Sequence, residues 1–118
     1  MTRQHAFTVF TLGFVLIAIH HIDDLILKGW SIIPLLDILP YLLIFLFWPK
    51  MKEMVLGFLL MLLGFLELNH TRLVHIPELL AEGFGRSTVT PILFDIGSVL
   101  FIIASIMIFQ IWHNKNFK

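Results

Sequence analysis

The sequence predicts an all-α membrane protein: four transmembrane helices in an up-down bundle, with a short surface helix between the third and the fourth. The chain has 118 residues, 58 % of them hydrophobic, and its mean hydropathy is +0.94. Both values lie outside the usual balance of a soluble domain. A spanning helix needs ~20 apolar residues, so four helices use the whole length. We therefore expect one integral membrane domain covering residues 1–118.

Apolar runs place the four spans at about residues 6–27, 31–48, 54–74 and 91–112. The first follows Arg3 as a signal peptide would, but no small-residue cleavage site follows it, so we expect a retained helix. Ser31 and Pro34 suit the start of the second helix. The charged stretch "PKMKE" then indicates an aqueous loop.

The third span reaches the necessary length only if it includes polar residues. Its uninterrupted apolar part ends at Leu66, and extension by the ~20-residue rule draws Glu67 and His70 into the membrane. Beyond it, we expect a short surface helix that ends at Gly83 or Gly85.

A fourth span is predicted to begin at Thr90 and Pro91, a residue pair that suits the N-cap and first position of a helix. Trp30, Trp48 and Trp112 all fall near predicted span boundaries, where tryptophan anchors helices at the membrane interface.

Basic residues predict the orientation. One side of the predicted membrane carries Arg3, Lys50, Lys52, Lys115 and Lys118, and the other carries Lys28, Arg72 and Arg86. The more basic side faces the cytoplasm in most membrane proteins. We therefore expect both termini in the cytoplasm and the loops after the first and third spans on the outer side.

Polar side chains of all four predicted helices lie at one depth, roughly 6–10 Å below the outer boundary at 1.5 Å per residue. They are His20, His21, Asp37, Glu67, His70 and Asp95, and Asp23 and Asp24 follow the two histidines within one helical turn. An ionised side chain near mid-membrane costs about 2.5–3.5 kcal/mol. Asp and His are too short to reach the interface as Lys does. We expect these groups to converge inside the bundle.

Their spacing favours a metal site. "HHIDD" and "ELNH" each place a histidine three residues from a carboxylate, on one helix face. Carboxylate-bridged di-metal bundles use Glu-x-x-His pairs on two helices and single carboxylates on two others. Asp37 and Asp95 could be the two single carboxylates. The chain has no cysteine, so imidazole and carboxylate indicate Fe, Zn or Mn. Nothing in the sequence indicates a nucleotide or haem.

The resulting hypothesis is a metal-dependent membrane enzyme, an oxidoreductase or hydrolase acting on a lipid-like substrate. All eight polar residues are candidate ligands, and Glu67 and Asp37 are also candidate catalytic groups. Residues that could support the ligands or close over them are His75, Glu78 and Arg72.

Two other functional classes remain open. One is a small proton- or cation-coupled transporter or channel, although the inner halves of the helices carry few polar residues. The other is a non-catalytic assembly or immunity subunit whose polar layer only specifies helix pairing. Nucleic-acid binding is excluded by the zero net charge and the lack of a basic stripe. A homo-oligomer is compatible with the sequence.

Each polar group also has a purely structural interpretation. The acids of "HHIDD" could be a solvated helix end, and Glu67 could bond to His70 within one helix. Asp37 could be protonated and bonded to a carbonyl freed by Pro40. Asp95 could lie at a helix N-terminus, where the dipole favours a negative charge. His75 could lie on an exposed amphipathic segment.

Overall fold

A computed structural model describes residues 2–83 and 86–117, which form helices and no strands. The helices are α1 (Arg3–Lys28), α2 (Ile33–Phe47), α3 (Glu53–His70), α4 (Ile76–Glu82) and α5 (Arg86–Asn116). A 3-10 turn, Trp48–Lys50, follows α2, and a π-helical segment, Thr71–His75, joins α3 to α4. Gly85, Lys118 and the side chain of Arg86 lie outside the described residues.

Four stretches are long and apolar enough to cross a membrane: Arg3–Lys28, Ile33–Lys50, Glu53–Ala81 and Val89–Asn116. The predicted all-helical class and its four apolar helices are thus confirmed, and they suggest a multi-pass membrane protein. The up-down arrangement across a bilayer, the location of the termini and the side that the polar groups face stay predictions.

The predicted short helix after the third span is present as α4, with Pro77 in its first turn and Gly83 at its end, and it continues directly from the helix before it. The backbone passes from α3 through the π-helical segment into α4 without a loop, and the Ile76 amide donates to the Thr71 carbonyl across the wider π turn. The polar residues 67–75 have helical backbone throughout, so their amides are bonded within the helix and no loop is required. Gly83 ends α4 with a φ of 73°, which a residue with a side chain rarely adopts.

The last helix begins earlier than the sequence predicts. It starts at Arg86, so Thr90 and Pro91 lie inside it instead of capping it. Pro91 is the sixth residue of this helix, beyond the four amides that have no intrahelical partner, so it removes one backbone hydrogen bond from the second turn.

Packing centres on α5, which contacts α1 and α3 along its length, while α2 lies against α1 and has much less contact with α3. The fully buried apolar side chains of the three central helices form the core: Ala6, Phe10, Ile17, Leu56, Leu60, Phe101, Ala104 and Ile108. Glycines lie on the contact faces of these helices, and they allow close backbone approach.

The N-terminal end of α1 is fastened to the α2–α3 connection. The Arg3 guanidinium donates to the carbonyl oxygens of Trp48 and Met51, the latter at 2.8 Å, and lies 3.3 Å from Glu53. Lys115, near the end of α5, also reaches Glu53 at 3.1 Å. The predicted polar residues therefore lie at the opposite end of the bundle from both termini.

Candidate functional site: a histidine cluster at one end of the bundle

Four histidines surround the buried ring of Phe94. The ring centroid of Phe94 lies 5.2 Å from that of His20, 5.9 Å from His21, 5.6 Å from His70 and 5.0 Å from His75. Neighbouring imidazoles are also close, with centroids 5.1 Å apart for His20 and His75 and 4.8 Å apart for His70 and His75. We call these four residues the histidine cluster.

A cavity of about 170 Å³ opens beside this cluster, and we call it the histidine cavity. It exceeds by far the roughly 10–15 Å³ that one water molecule needs. Its walls come from α1, the α3–π–α4 stretch and α5: His20, Asp24, Leu27, Lys28, His70, Val74, His75, Glu78 and Pro91. Imidazole, carboxylate and ammonium groups thus share one small space.

His75 is held by a carboxylate from the neighbouring helix. Its Nδ1 lies 3.1 Å from Asp95 Oδ1, and the Thr71 hydroxyl donates to the same oxygen. His75 is buried, and the side chain of Asp95 is about one-third exposed. The π-helical segment supplies Thr71 and His75 from one turn and aims both at Asp95 on α5.

His20 has contacts on both ring nitrogens. Its Nε2 lies 3.5 Å from Asp24, which also lies 3.8 Å from Lys28. Its Nδ1 lies 3.3 Å from the Thr90 hydroxyl, which donates to Asp23 at 2.9 Å. Both carboxylates of "HHIDD" therefore have partners in the folded chain.

His21 presents an unusual feature on the other side of Phe94. It is only 7 % exposed, and its Nε2 is buried with no hydrogen-bond partner among the described residues. Most buried polar atoms are hydrogen-bonded, so this nitrogen marks a position where a ligand atom or a water could be accepted.

Of the remaining predicted residues, Glu67, Asp37 and Arg72 do not line the cavity. Glu67 accepts a hydrogen bond from the Tyr41 hydroxyl, which links α3 to α2. Asp37 is exposed on α2, close enough to His21 and Glu67 for electrostatic interaction. Arg72 is exposed and bonds to Asn69 at 2.9 Å, while Glu78 lines the cavity.

The predicted metal site is not assembled as a unit. Within residues 2–83 and 86–117, no three His, Asp or Glu side chains are positioned to hold a metal ion. Several candidate carboxylates are instead engaged by hydroxyl groups of Tyr41, Thr71 and Thr90. Metal binding is thus not supported by this geometry and stays a prediction.

Sequence reasoning missed four residues of the site: Tyr41, Thr71, Thr90 and Phe94. Tyr41 could have been identified from the sequence, since it is the only tyrosine in the chain and follows Asp37 by one helical turn. Thr71 follows Glu67 by four residues. Phe94 is one of twelve phenylalanines, and nothing in the sequence distinguishes it from the others.

The fold and the site together define a class: a small protein of four apolar helices with a polar, histidine-lined cavity at one end. Comparison with protein-family models, curated proteins and solved structures gives no match for this chain.

Proposed function

We propose that this protein is a membrane enzyme whose histidine cavity carries out acid–base chemistry on a lipid-like molecule, with His75 as the residue that exchanges the proton. The observation that carries the proposal is the 3.1 Å contact between Asp95 and the Nδ1 atom of His75, which lines the cavity. A carboxylate in this place holds the imidazole in one tautomer, with Nδ1 protonated. Nε2 is then the nitrogen that can accept a proton from a bound group.

The surroundings of the cavity favour a hydrophobic substrate. Every helix that contributes to its walls belongs to a stretch apolar enough to span a membrane, so in a bilayer the helices around the cavity contact acyl chains. Imidazole is suited to proton transfer near neutral pH, and a positioned acid–base group typically contributes 10²–10⁴-fold to a rate.

The packing below the cluster favours an enclosed site over a conduit. Among the described residues, the buried polar side chains outside the histidine cluster are Ser98 and Ser105. Both hydroxyls donate to backbone carbonyl oxygens, and their neighbours are the apolar core residues. A transported proton or cation would need polar groups along its whole path.

A second candidate function is binding of Fe, Zn or Mn, as the sequence predicts. One observation favours it: three imidazoles, His20, His70 and His75, line a single cavity, and two of them contact carboxylates. Histidines that bind metals usually have such a partner. The nitrogens would have to rotate toward a common centre.

The acid–base proposal is tested by the reactivity of His75 toward diethyl pyrocarbonate, which transfers its ethoxycarbonyl group to a neutral imidazole nitrogen with release of ethanol and carbon dioxide. Detergent-purified protein is treated, and modification of each histidine is timed by mass spectrometry. We expect His75 to react, and Asp95→Leu to slow that reaction at least about tenfold, a smaller factor than the 10²–10⁴ that a positioned acid–base group typically contributes. His5 and His113, at the other end, should react at unchanged rates in both proteins.

Two results would overturn the proposal: an unreactive His75 in the wild-type protein, or equal His75 rates in both proteins. Elemental analysis of the same preparation tests the second candidate. Stoichiometric Fe, Zn or Mn that is lost in His70→Ala supports metal binding, and metal-free protein from a metal-replete medium excludes it.

A further inference from the structure

An apolar groove runs between α2 and α3, and its lining shares no residue with that of the histidine cavity. Its volume is about 360 Å³, and its lining is entirely apolar: Pro40, Leu43, Ile44, Phe47, Met51, Leu59, Leu62 and Leu63. The groove exists because α2 packs against α1 and leaves a gap toward α3.

The groove is open to the surroundings of the bundle. Leu43, Phe47 and Leu62 are 46 %, 50 % and 45 % exposed, although they line it. Both walls belong to helices that are candidate membrane spans. In a bilayer such an opening faces acyl chains, so a chain can enter it sideways.

One end of the groove meets polar groups. Glu67 lies one helical turn beyond Leu63, and its hydrogen bond from Tyr41 joins α3 to α2 there. Asp37 lies one turn beyond Tyr41 on the same face of α2, and it is exposed. An elongated molecule in the groove would thus place its polar end beside two carboxyl groups and a phenol.

The same end leads toward the histidine cavity. Glu67 and His70 are three residues apart and share one face of α3, and His70 lines the cavity. Asp37 is within electrostatic reach of His21 and His70. The groove, the Tyr41–Glu67 pair and the histidine cluster therefore follow one another along α3.

We infer that the groove holds the hydrocarbon chain of the molecule on which the histidine cavity acts, and that this molecule ends in a hydroxyl group. The inference rests on the proposed function. Asp37 and Glu67 determine the end group, because two carboxyl groups beside the polar end of the groove disfavour a further anion such as a carboxylate or a phosphate. A hydroxyl can donate a hydrogen bond to either acid without adding a negative charge.

The test uses two photoreactive probes of equal length, hexadecanol and hexadecanoate, each with a diazirine at mid-chain. Protein in phosphatidylcholine nanodiscs is irradiated with either probe, and labelled peptides are quantified by mass spectrometry. We expect hexadecanol to label the segments around 40–47 and 59–63 preferentially, and hexadecanoate to label them at least about tenfold less, the change that 1.4 kcal/mol gives.

Groove-filling variants provide the matched comparison. Leu63→Trp fills the groove, whereas Leu66→Trp adds the same bulk on an exposed part of α3 outside the groove lining. Leu63→Trp should abolish preferential labelling, and Leu66→Trp should leave it intact. Leu43→Trp, on the α2 wall, replaces Leu63→Trp if that variant fails to elute as a monodisperse species. In Asp37→Asn/Glu67→Gln, the preference for the alcohol over the carboxylate should disappear.

Uniform labelling of all exposed helix faces, or labelling that survives both groove-filling variants, would overturn the inference. Equal labelling by the two probes would overturn the proposed end group. His75→Gln separates this test from that of the proposed function, because the groove does not include His75 and labelling should persist. If His75 reacts with diethyl pyrocarbonate as expected but the probes label all exposed helix faces equally, the proposed acid–base site is retained and only the lipid-binding groove is rejected.

Discussion

Gly13 on α1 and Gly97 on α5 bring the backbones of these two helices into direct contact. A Cβ atom on Gly13 would lie 2.8 Å from the Gly97 carbonyl oxygen, and one on Gly97 would lie 2.7 Å from the Gly13 oxygen. Real Cβ atoms do not approach so closely, so any larger residue here forces the helices apart.

We therefore predict that Gly97→Val lowers the free energy of unfolding by about 1–3 kcal/mol, as overpacking of a filled interface does. The measurement is a dodecyl sulfate titration in mixed micelles, followed by circular dichroism. Val99→Ile, which enlarges an exposed side chain of the same helix, should change the unfolding free energy by less than about 0.5 kcal/mol. Equal effects would show that the backbone contact does not limit packing.

Ser105 connects α5 to α3, since its buried hydroxyl donates to the Gly57 carbonyl oxygen. Ser98 is buried too, but it donates to Phe94 within its own helix. We predict that Ser105→Ala lowers the unfolding free energy by about 0.6 kcal/mol, the average for hydrogen bonds between membrane helices, and by no more than about 1.7 kcal/mol. Ser98→Ala should have less effect because back-bonding within a helix contributes little. The same titration compares them, and a larger loss for Ser98→Ala would contradict the prediction.

Arg3 joins the start of α1 to the α2–α3 connection through two carbonyl oxygens and Glu53. A lysine keeps the charge but cannot present the planar fork of donors. We predict that Arg3→Lys lowers the unfolding free energy by about 1.5–3 kcal/mol, the contribution of one hydrogen bond to a charged group.

The control for Arg3 is Lys115→Met, which removes an exposed partner of the same glutamate. Surface ion pairs contribute about 0–1 kcal/mol, so this variant should unfold almost as the wild type does. Equal unfolding free energies for the two variants would show that the carbonyl contacts of Arg3 add no stability beyond that of an exposed ion pair.

Phe94 is 1 % exposed and touches all four rings of the histidine cluster, so it fixes their spacing. We predict that Phe94→Ala lowers the unfolding free energy by about 3–5 kcal/mol, as large-to-small changes in a core do. Phe58→Ala, at a site 65 % exposed, is the control and should unfold nearly as the wild type does. A small effect at Phe94 would mean that the histidines hold one another without it.

The sequence predicts the helical class well because hydrophobicity and length are local properties, visible in runs such as those that became α1 and α5. It also predicts that His20, His21 and His70 lie at one end of the bundle, since their positions along the helices follow from the rise per residue. The position of a residue along a helix, however, does not determine which way its side chain faces. Asp37 has the expected level on α2, yet it is exposed and lies away from the cavity wall.

His75 illustrates the other limit. Pro77 and the polar residues around it are typical of a break after the third span, and on a broken chain His75 would lie at the surface. The structure continues the helix instead, through a π turn that no local pattern announces, and His75 becomes a buried partner of Asp95. The hydroxyl partners of the carboxylates come from other helices, so their pairing depends on tertiary packing.

The π turn at Thr71–His75 holds one residue more than an α-helical turn would. Deleting a single residue of this segment would convert the wide turn into an α-helical one and leave the helix on either side nearly in place, because a π turn absorbs its extra residue locally. The side chains that this turn presents to Asp95, Thr71 and His75 among them, would be rearranged. The histidine site and the bundle that carries it can therefore be gained or lost separately, by the insertion or removal of one codon.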